Sequence, residues 1–160
     1  MKKLYIFFLF YLFSCSSSVV LEKQQISSIA EKHVVLALWD SLTAGYGVDE
    51  SENYPTKLQK QLDEKWYQYE VVNAGVSGDT SANVLSRANL YLEKNPSIVI
   101  VVVGWNDALR WLSTTEVKKN IWAIIDTFPN AKVVLGWMDI PANLWAQYRS
   151  DFKKLYTEIA

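Results

Sequence analysis

The chain has 160 residues, half of them apolar, and a formal net charge of −1 from 16 basic and 17 acidic side chains. This length and apolar content suit a single domain around one core, and the near-neutral balance provides no basic patch for nucleic acid. One histidine and one cysteine, far apart, make neither a metal-ligand set nor an internal disulfide, and no cofactor is expected.

Taken in chain order, Lys2-Lys3 and the ten-residue apolar run Leu4 to Phe13 have the charged and hydrophobic regions of a secretory leader. Ten residues are too few to span a bilayer of about 30 Å as a helix. Leu12-Phe13-Ser14-Cys15 resembles a bacterial lipobox. The expectation is a signal peptide over 1–14, with Cys15 as the lipidated first mature residue of an exported, membrane-anchored protein; a simple cleaved leader is the alternative. Removing Lys2 and Lys3 with the leader leaves 14 basic against 17 acidic residues, a net charge of −3. Residues 15–32, with Ser16 to Ser18, Ser27-Ser28 and scattered charges, read as a linker.

From residue 33 short apolar runs alternate with helical patterns. The expected strands are Val34 to Leu38, Glu70 to Ala74, Ile98 to Val103 and Lys132 to Leu135. Ile98 to Val103 is apolar throughout, as a buried parallel strand should be. Between them, Tyr54, Leu58 and Leu62 recur at helical spacing, as do Val84, Leu85, Ala88 and Leu92. Ser113 with Glu116 reads as a capping box opening a helix through Val117, Ile121, Ile124, Ile125 and Phe128. Tyr148, Phe152, Leu155, Tyr156 and Ile159 mark the last helix, and these stripes are most simply core. The alternation predicts a three-layer α/β fold with a parallel sheet and right-handed crossovers.

Three strand ends carry the chemistry. Trp39-Asp40-Ser41-Leu42 follows the first strand and reads as a serine nucleophile lifted clear of the sheet by a tight turn. An Asp-Ser pair there is equally a helix start or an Asx turn. Asn73-Ala74-Gly75-Val76-Ser77-Gly78-Asp79-Thr80 ends the second strand, and Val103-Gly104-Trp105-Asn106-Asp107 the third. Taken singly, Gly75 and Gly78 fit a plain turn and Asn106-Asp107 a helix cap.

Together the three blocks resemble the SGNH (GDSL) hydrolase family, in the branch of arylesterases, lysophospholipases and acyl-thioester hydrolases. Tyr54-Pro55 and Pro141-Ala142-Asn143 support that branch, and the resemblance covers residues 34 to 160. It implies a flavodoxin-like sheet of strand order 2-1-3-4-5, Ser41 as nucleophile, and an oxyanion hole formed by Ser41, Gly78 and Asn106. It also implies a small-molecule or lipid ester as substrate. The residue types suit those roles. Charge building on the carbonyl oxygen is stabilised by donors already aimed at it, and an asparagine amide can donate where an aspartate could only accept. Gly78 would bring backbone close to the ligand and tolerate positive φ. Ser77 is a rival, because Gly75-Val76-Ser77-Gly78-Asp79 is one residue away from a G-x-S-x-G elbow. Asp79 breaks that pattern where the last glycine belongs, so Ser77 is read as a turn residue.

The base is missing. A serine needs a proton acceptor, and His33, the sole histidine, lies about 16 Å behind the catalytic edge at strand rise. The family carries Asp-x-x-His near its C-terminus, whereas Asp151-Phe152-Lys153-Lys154 has lysine in the histidine place. The expectation is a C-terminally truncated domain over 33–160, lacking the last strand, the acid-base pair and the final helix. As 160 residues it would be a poor catalyst with an exposed edge on strand four. The alternative is a non-catalytic ligand- or carbohydrate-binding protein on the same fold.

The tryptophans are out of place. The family has glycine at Trp39 and Trp105, and Trp111, Trp137 and Trp145 also fall where its members commonly show glycine; Trp66 sits where a helix C-cap glycine is expected. Seven tryptophans stand against six glycines. Were those six tryptophans glycine, the chain would carry twelve, close to the usual share of about 7%. The expectation is that UGA codons read as glycine by the source organism have been translated as tryptophan, most of all at Trp39 and Trp105. A UGG codon at those positions would refute it, and aromatic lining of an acyl pocket is the alternative.

Overall fold

The computed structural model describes residues 32–137, 139–140 and 146–160. The leader, most of the linker, Cys15, Pro141-Ala142-Asn143 and Trp145 lie outside the described residues. Four parallel strands, β1 (His33–Trp39), β2 (Tyr69–Gly75), β3 (Ile98–Val102) and β4 (Lys132–Gly136), form one sheet in the order β2-β1-β3-β4. This agrees with the first four places of the expected strand order. β1 sits in the middle, pairing Leu38 with Ala74 on one side and with Val101 on the other. Its apolar run is therefore buried on both faces, with Leu36, Ala37 and Leu38 all at 0% exposure.

Helices cover the sheet unequally. Leu36, Leu38, Val99 and Val101 join a core completed by Val84 and Ala88 of α3 (Ser81–Ala88), Val117, Ile121 and Ile124 of α5 (Thr114–Thr127), and Phe152, Leu155 and Tyr156 of α6 (Ala146–Ile159). On the opposite face, Leu58 and Leu62 of α2 (Tyr54–Glu64) line an apolar groove of about 380 Å³ together with Val35, Ile98, Ile100 and Val134. β4 forms an edge among the described residues, and its Val134 is half exposed. Two further helices, α1 (Ser41–Ala44) and α4 (Trp105–Leu109), are single turns directly following β1 and β3.

Local chemistry explains the helix ends, with some corrections to the expected ones. The Asn53 carboxamide caps α2 by accepting from Thr56 N at 2.9 Å, and Pro55 fits the first turn because its missing N–H has no helical acceptor there. Ser113 does precede α5, but its side chain makes no capping bond, so the expected Ser113/Glu116 box is absent. A capping box forms instead at Thr80 and Asn83, since asparagine as well as glutamate can reach back to the cap N–H. The stripe from Val84 to Leu92 is broken: α3 ends at Ala88 and a 3-10 segment runs over Asn89–Lys94, leaving Leu92 exposed.

Two tryptophans occupy glycine conformations. After α2, Trp66 has φ 61°, Trp66 N donates to Asp63 O and Tyr67 N to Leu62 O, each at 3.0 Å. After α4, Trp111 has φ 56°, with Trp111 N bonded to Ala108 O at 3.1 Å and Leu112 N to Asp107 O at 3.0 Å. Both are Schellman endings with tryptophan in the left-handed place that glycine usually takes. Trp39 and Trp105, the two read from the sequence as most suspect, are not at positive φ. Trp39 is instead buried at the end of β1 with its indole N–H meeting no acceptor at hydrogen-bond geometry.

Trp66→Gly is expected to stabilise the fold by about 1 kcal/mol, because a left-handed residue with a Cβ carries a steric cost that exceeds the extra chain entropy of glycine. Trp66 is 86% exposed and has little packing to lose. An upward shift of the urea midpoint at unchanged slope checks it; a downward shift counts against it. Trp111→Gly gains less, since its ring packs against Tyr148 at 5.2 Å.

Candidate active site

The C-terminal ends of β1, β2 and β3 meet at one edge of the sheet, where a doubly wound fold places its ligands. At the end of β1, Asp40 caps α1 by accepting from Leu42 N at 3.1 Å, and Ser41 is the first residue of that helix. The helix-start reading and the nucleophile reading of Asp40-Ser41 thus describe the same turn. Ser41 is half-buried, neither sealed in the core nor free in solvent.

The second segment leaves β2 through Val76, whose N–H donates to Trp39 O at 3.1 Å and keeps the loop against the β1 end. Gly78 follows at φ 85°, a left-handed conformation, and a Cβ there would find open space beyond the Arg110 guanidinium at 3.9 Å. Its glycine is required by conformation more than by crowding. Ser77 is exposed in the same turn. Gly104 opens the third segment at φ 112°, and here space is also limiting. A Cβ would lie 2.3 Å from the Tyr156 hydroxyl and 2.8 Å from the Phe152 ring.

Asn106 joins the segments. Its Nδ2 donates to Asp79 O at 3.0 Å and to Asp40 Oδ2 at 3.1 Å, so one amide bridges the Ser41 turn and the residue after Gly78. Arg110 Nη2 adds a bond to Gly78 O at 3.0 Å. Asp107 is not a helix cap but a buried acceptor, taking Ser81 N at 2.8 Å and Ser81 Oγ at 2.7 Å, while Asn120 Nδ2 donates to the same hydroxyl at 3.0 Å. Burial is the main influence on the Asp40 carboxyl and raises its pKa above the usual carboxylate value. The Asp79 charge adds to that rise, while the Leu42 N–H and the nearby Trp39 indole oppose it.

Ser41, Gly78 and Asn106 are thus carried by segments that these bonds draw together, while His33 is not among them. It stands at the opposite end of β1, its ring 5.5 Å from that of Tyr69. No group of three His, Cys, Asp or Glu side chains able to hold a metal occurs among the described residues. The Asp40 bond within the serine turn was visible in sequence as a helix start or Asx turn, whereas the Asn106–Asp40 bond and the Arg110 bond to Gly78 O were not.

A three-layer α/β fold with a serine-bearing turn at the central strand and an asparagine linking its neighbours is the architecture of a serine ester hydrolase. The chain belongs to the GDSL-like lipase/acylhydrolase family, whose model matches residues 37–160. It is similar to Esterase TesA of Pseudomonas aeruginosa, at 34% identity over 149 residues, covering 91% of this chain and 72% of that protein. It is also similar to Thioesterase 1/protease 1/lysophospholipase L1 of Escherichia coli K12, at 33% identity over 82% of this chain and 63% of the relative. Among solved structures, AlinE4, an SGNH-hydrolase family esterase, superposes with a TM-score of 0.77 at 39% identity over 83% of this chain and 73% of that one.

Proposed function

We propose that the protein hydrolyses carboxylic esters or thioesters through an acyl intermediate on Ser41, with Gly78 and Asn106 completing the oxyanion hole. The substrate class is a lysophospholipid or a short acyl or aryl ester, in keeping with the esterase, thioesterase and lysophospholipase names of its relatives. The single observation that carries the reading is the Asn106 amide held between Asp40, beside Ser41, and Asp79, beside Gly78. In the reaction Ser41 Oγ bonds to the acyl carbon and its proton passes to a base. The carbonyl oxygen takes the negative charge and receives N–H groups of Ser41 and Gly78 and one Asn106 hydrogen, now shared with a neighbouring acceptor. Collapse of this intermediate breaks the acyl carbon's bond to the alcohol or thiol, which departs with the proton held by the base. Water then attacks acyl-Ser41, releasing the acid and returning a proton to Ser41 Oγ. Residues 1–14 serve as an export signal, 15–32 as a linker and 33–160 as the hydrolase domain, with a lipid on Cys15 holding it to the envelope membrane.

The position of His33 favours a second reading, a ligand-binding protein on the same fold, because the described residues place no histidine beside Ser41. Fluorophosphonate labelling of the protein expressed from its complete gene separates the two. Esterase chemistry predicts a phosphonylated peptide containing Ser41 that disappears in Ser41→Ala. Label on Ser77 would transfer the nucleophile there, and no label would favour the binder.

A further inference from the structure

We infer that Arg87, which lies outside every sequence motif, is a positioning residue that fixes the spacing of the oxyanion donors; this rests on the esterase reading above. Its guanidinium, on the last turn of α3, is turned toward the strand ends. Nε donates to Asp79 Oδ2 at 2.7 Å, Nη1 to Ala74 O at 2.7 Å and Nη2 to Trp39 O at 2.9 Å. Both ionic partners are shielded, the Arg87 side chain being 14% and that of Asp79 13% exposed. One planar cation therefore ties the ends of β1 and β2 to the loop between β2 and α3.

Two of the three contacts lie close to a proposed catalytic group, and the third, to Ala74 O, anchors the end of β2. Trp39 O is two residues before Ser41; Asp79 directly follows Gly78; and the Asp79 carbonyl accepts the Asn106 amide at 3.0 Å. The groups are distant in sequence, so their separation depends on non-covalent ties such as this one. A rigid fork with fixed donor directions can hold a carboxylate and two carbonyls at once, whereas a lysine ammonium, at the end of a flexible stem, holds fewer in fixed directions. Oxyanion donors act only when already aimed, and a displacement of about 1 Å can cost about a hundredfold in rate.

The test is steady-state hydrolysis of p-nitrophenyl acetate by the protein from its complete gene, with activity expressed per folded molecule. Arg87→Met is expected to lower kcat about a hundredfold, and Arg87→Lys about tenfold, with KM changed by less than about twofold. Added methylguanidinium should restore part of the kcat of Arg87→Ala. Ile124→Val, a core change in α5, should lower the melting temperature while leaving kcat and its response to methylguanidinium unchanged. If the parent turns over in a Ser41-dependent way and Arg87→Met keeps its kcat, or loses activity only as the folded fraction falls, the assignment is overturned alone. A parent without Ser41-dependent turnover overturns the esterase reading and this assignment with it.

Discussion

Asn106→Asp is expected to lower kcat by about a hundredfold or more, equivalent to about 3 kcal/mol of transition-state stabilisation. The amide now gives hydrogens to Asp79 O at 3.0 Å and Asp40 Oδ2 at 3.1 Å. An ionised carboxylate in its place has no hydrogen to give. It would face two acceptors, one of them a buried carboxylate, and would also repel the charge developing on the substrate oxygen. The change is nearly isosteric, so lost donation and added charge, not lost volume, set the effect. Hydrolysis of a chromogenic ester by the protein from its complete gene, with Ser41→Ala as the floor, gives the measurement. Retention of kcat to within about threefold would remove Asn106 from the oxyanion hole.

Asp107→Ala is expected to cost about 3 kcal/mol of stability, because charge-assisted bonds are worth more than neutral ones and their loss leaves buried partners unsatisfied. Asp107 is 1% exposed and Ser81 0%. Both carboxylate oxygens are used, one by the Ser81 N–H in the first turn of α3 and one by the Ser81 hydroxyl. The N-terminus of α3 favours a negative charge there, which offsets part of the burial cost. Removing the carboxylate strands the Ser81 N–H and leaves its hydroxyl with only the Asn120 amide at 3.0 Å. Urea unfolding measures the loss, and a midpoint unchanged in the alanine variant would contradict it. Asp107→Asn, which keeps one acceptor, should fall between.

The two predictions concern neighbours in sequence with different legibility. Asn106 stood out because its block, together with the two before it, resembles the family's ordered motifs, and a donor amide suits the role that the resemblance implies. Asp107, taken singly, fitted no more than a helix cap, whose partner lies within a few residues, whereas its partner in the fold, Ser81, is 26 positions away. Arg87 escaped notice for the same reason, its acceptors at Trp39 and Ala74 being 48 and 13 positions distant. The tryptophans divide similarly. Trp66 was legible as a helix C-cap position, whereas the left-handed φ of Trp111 belongs to a helix ending that only the backbone reveals, and the sequence drew most attention to Trp39 and Trp105.

The sequence by itself determined the strands, their parallel alternation with helices, and the serine, glycine and asparagine at three strand ends. The strands and helices depend on hydrophobic period, a local property of the chain, and the three residues were singled out by the resemblance of their short blocks to the family's motifs. Tertiary structure alone decided that one Asn106 amide bridges two segments and that Arg87 ties two strand ends to a loop. Such bonds join residues far apart in the chain, and their existence depends on strand order and register. Side-chain chemistry is written in the residues; which groups meet is set by the folded path between them.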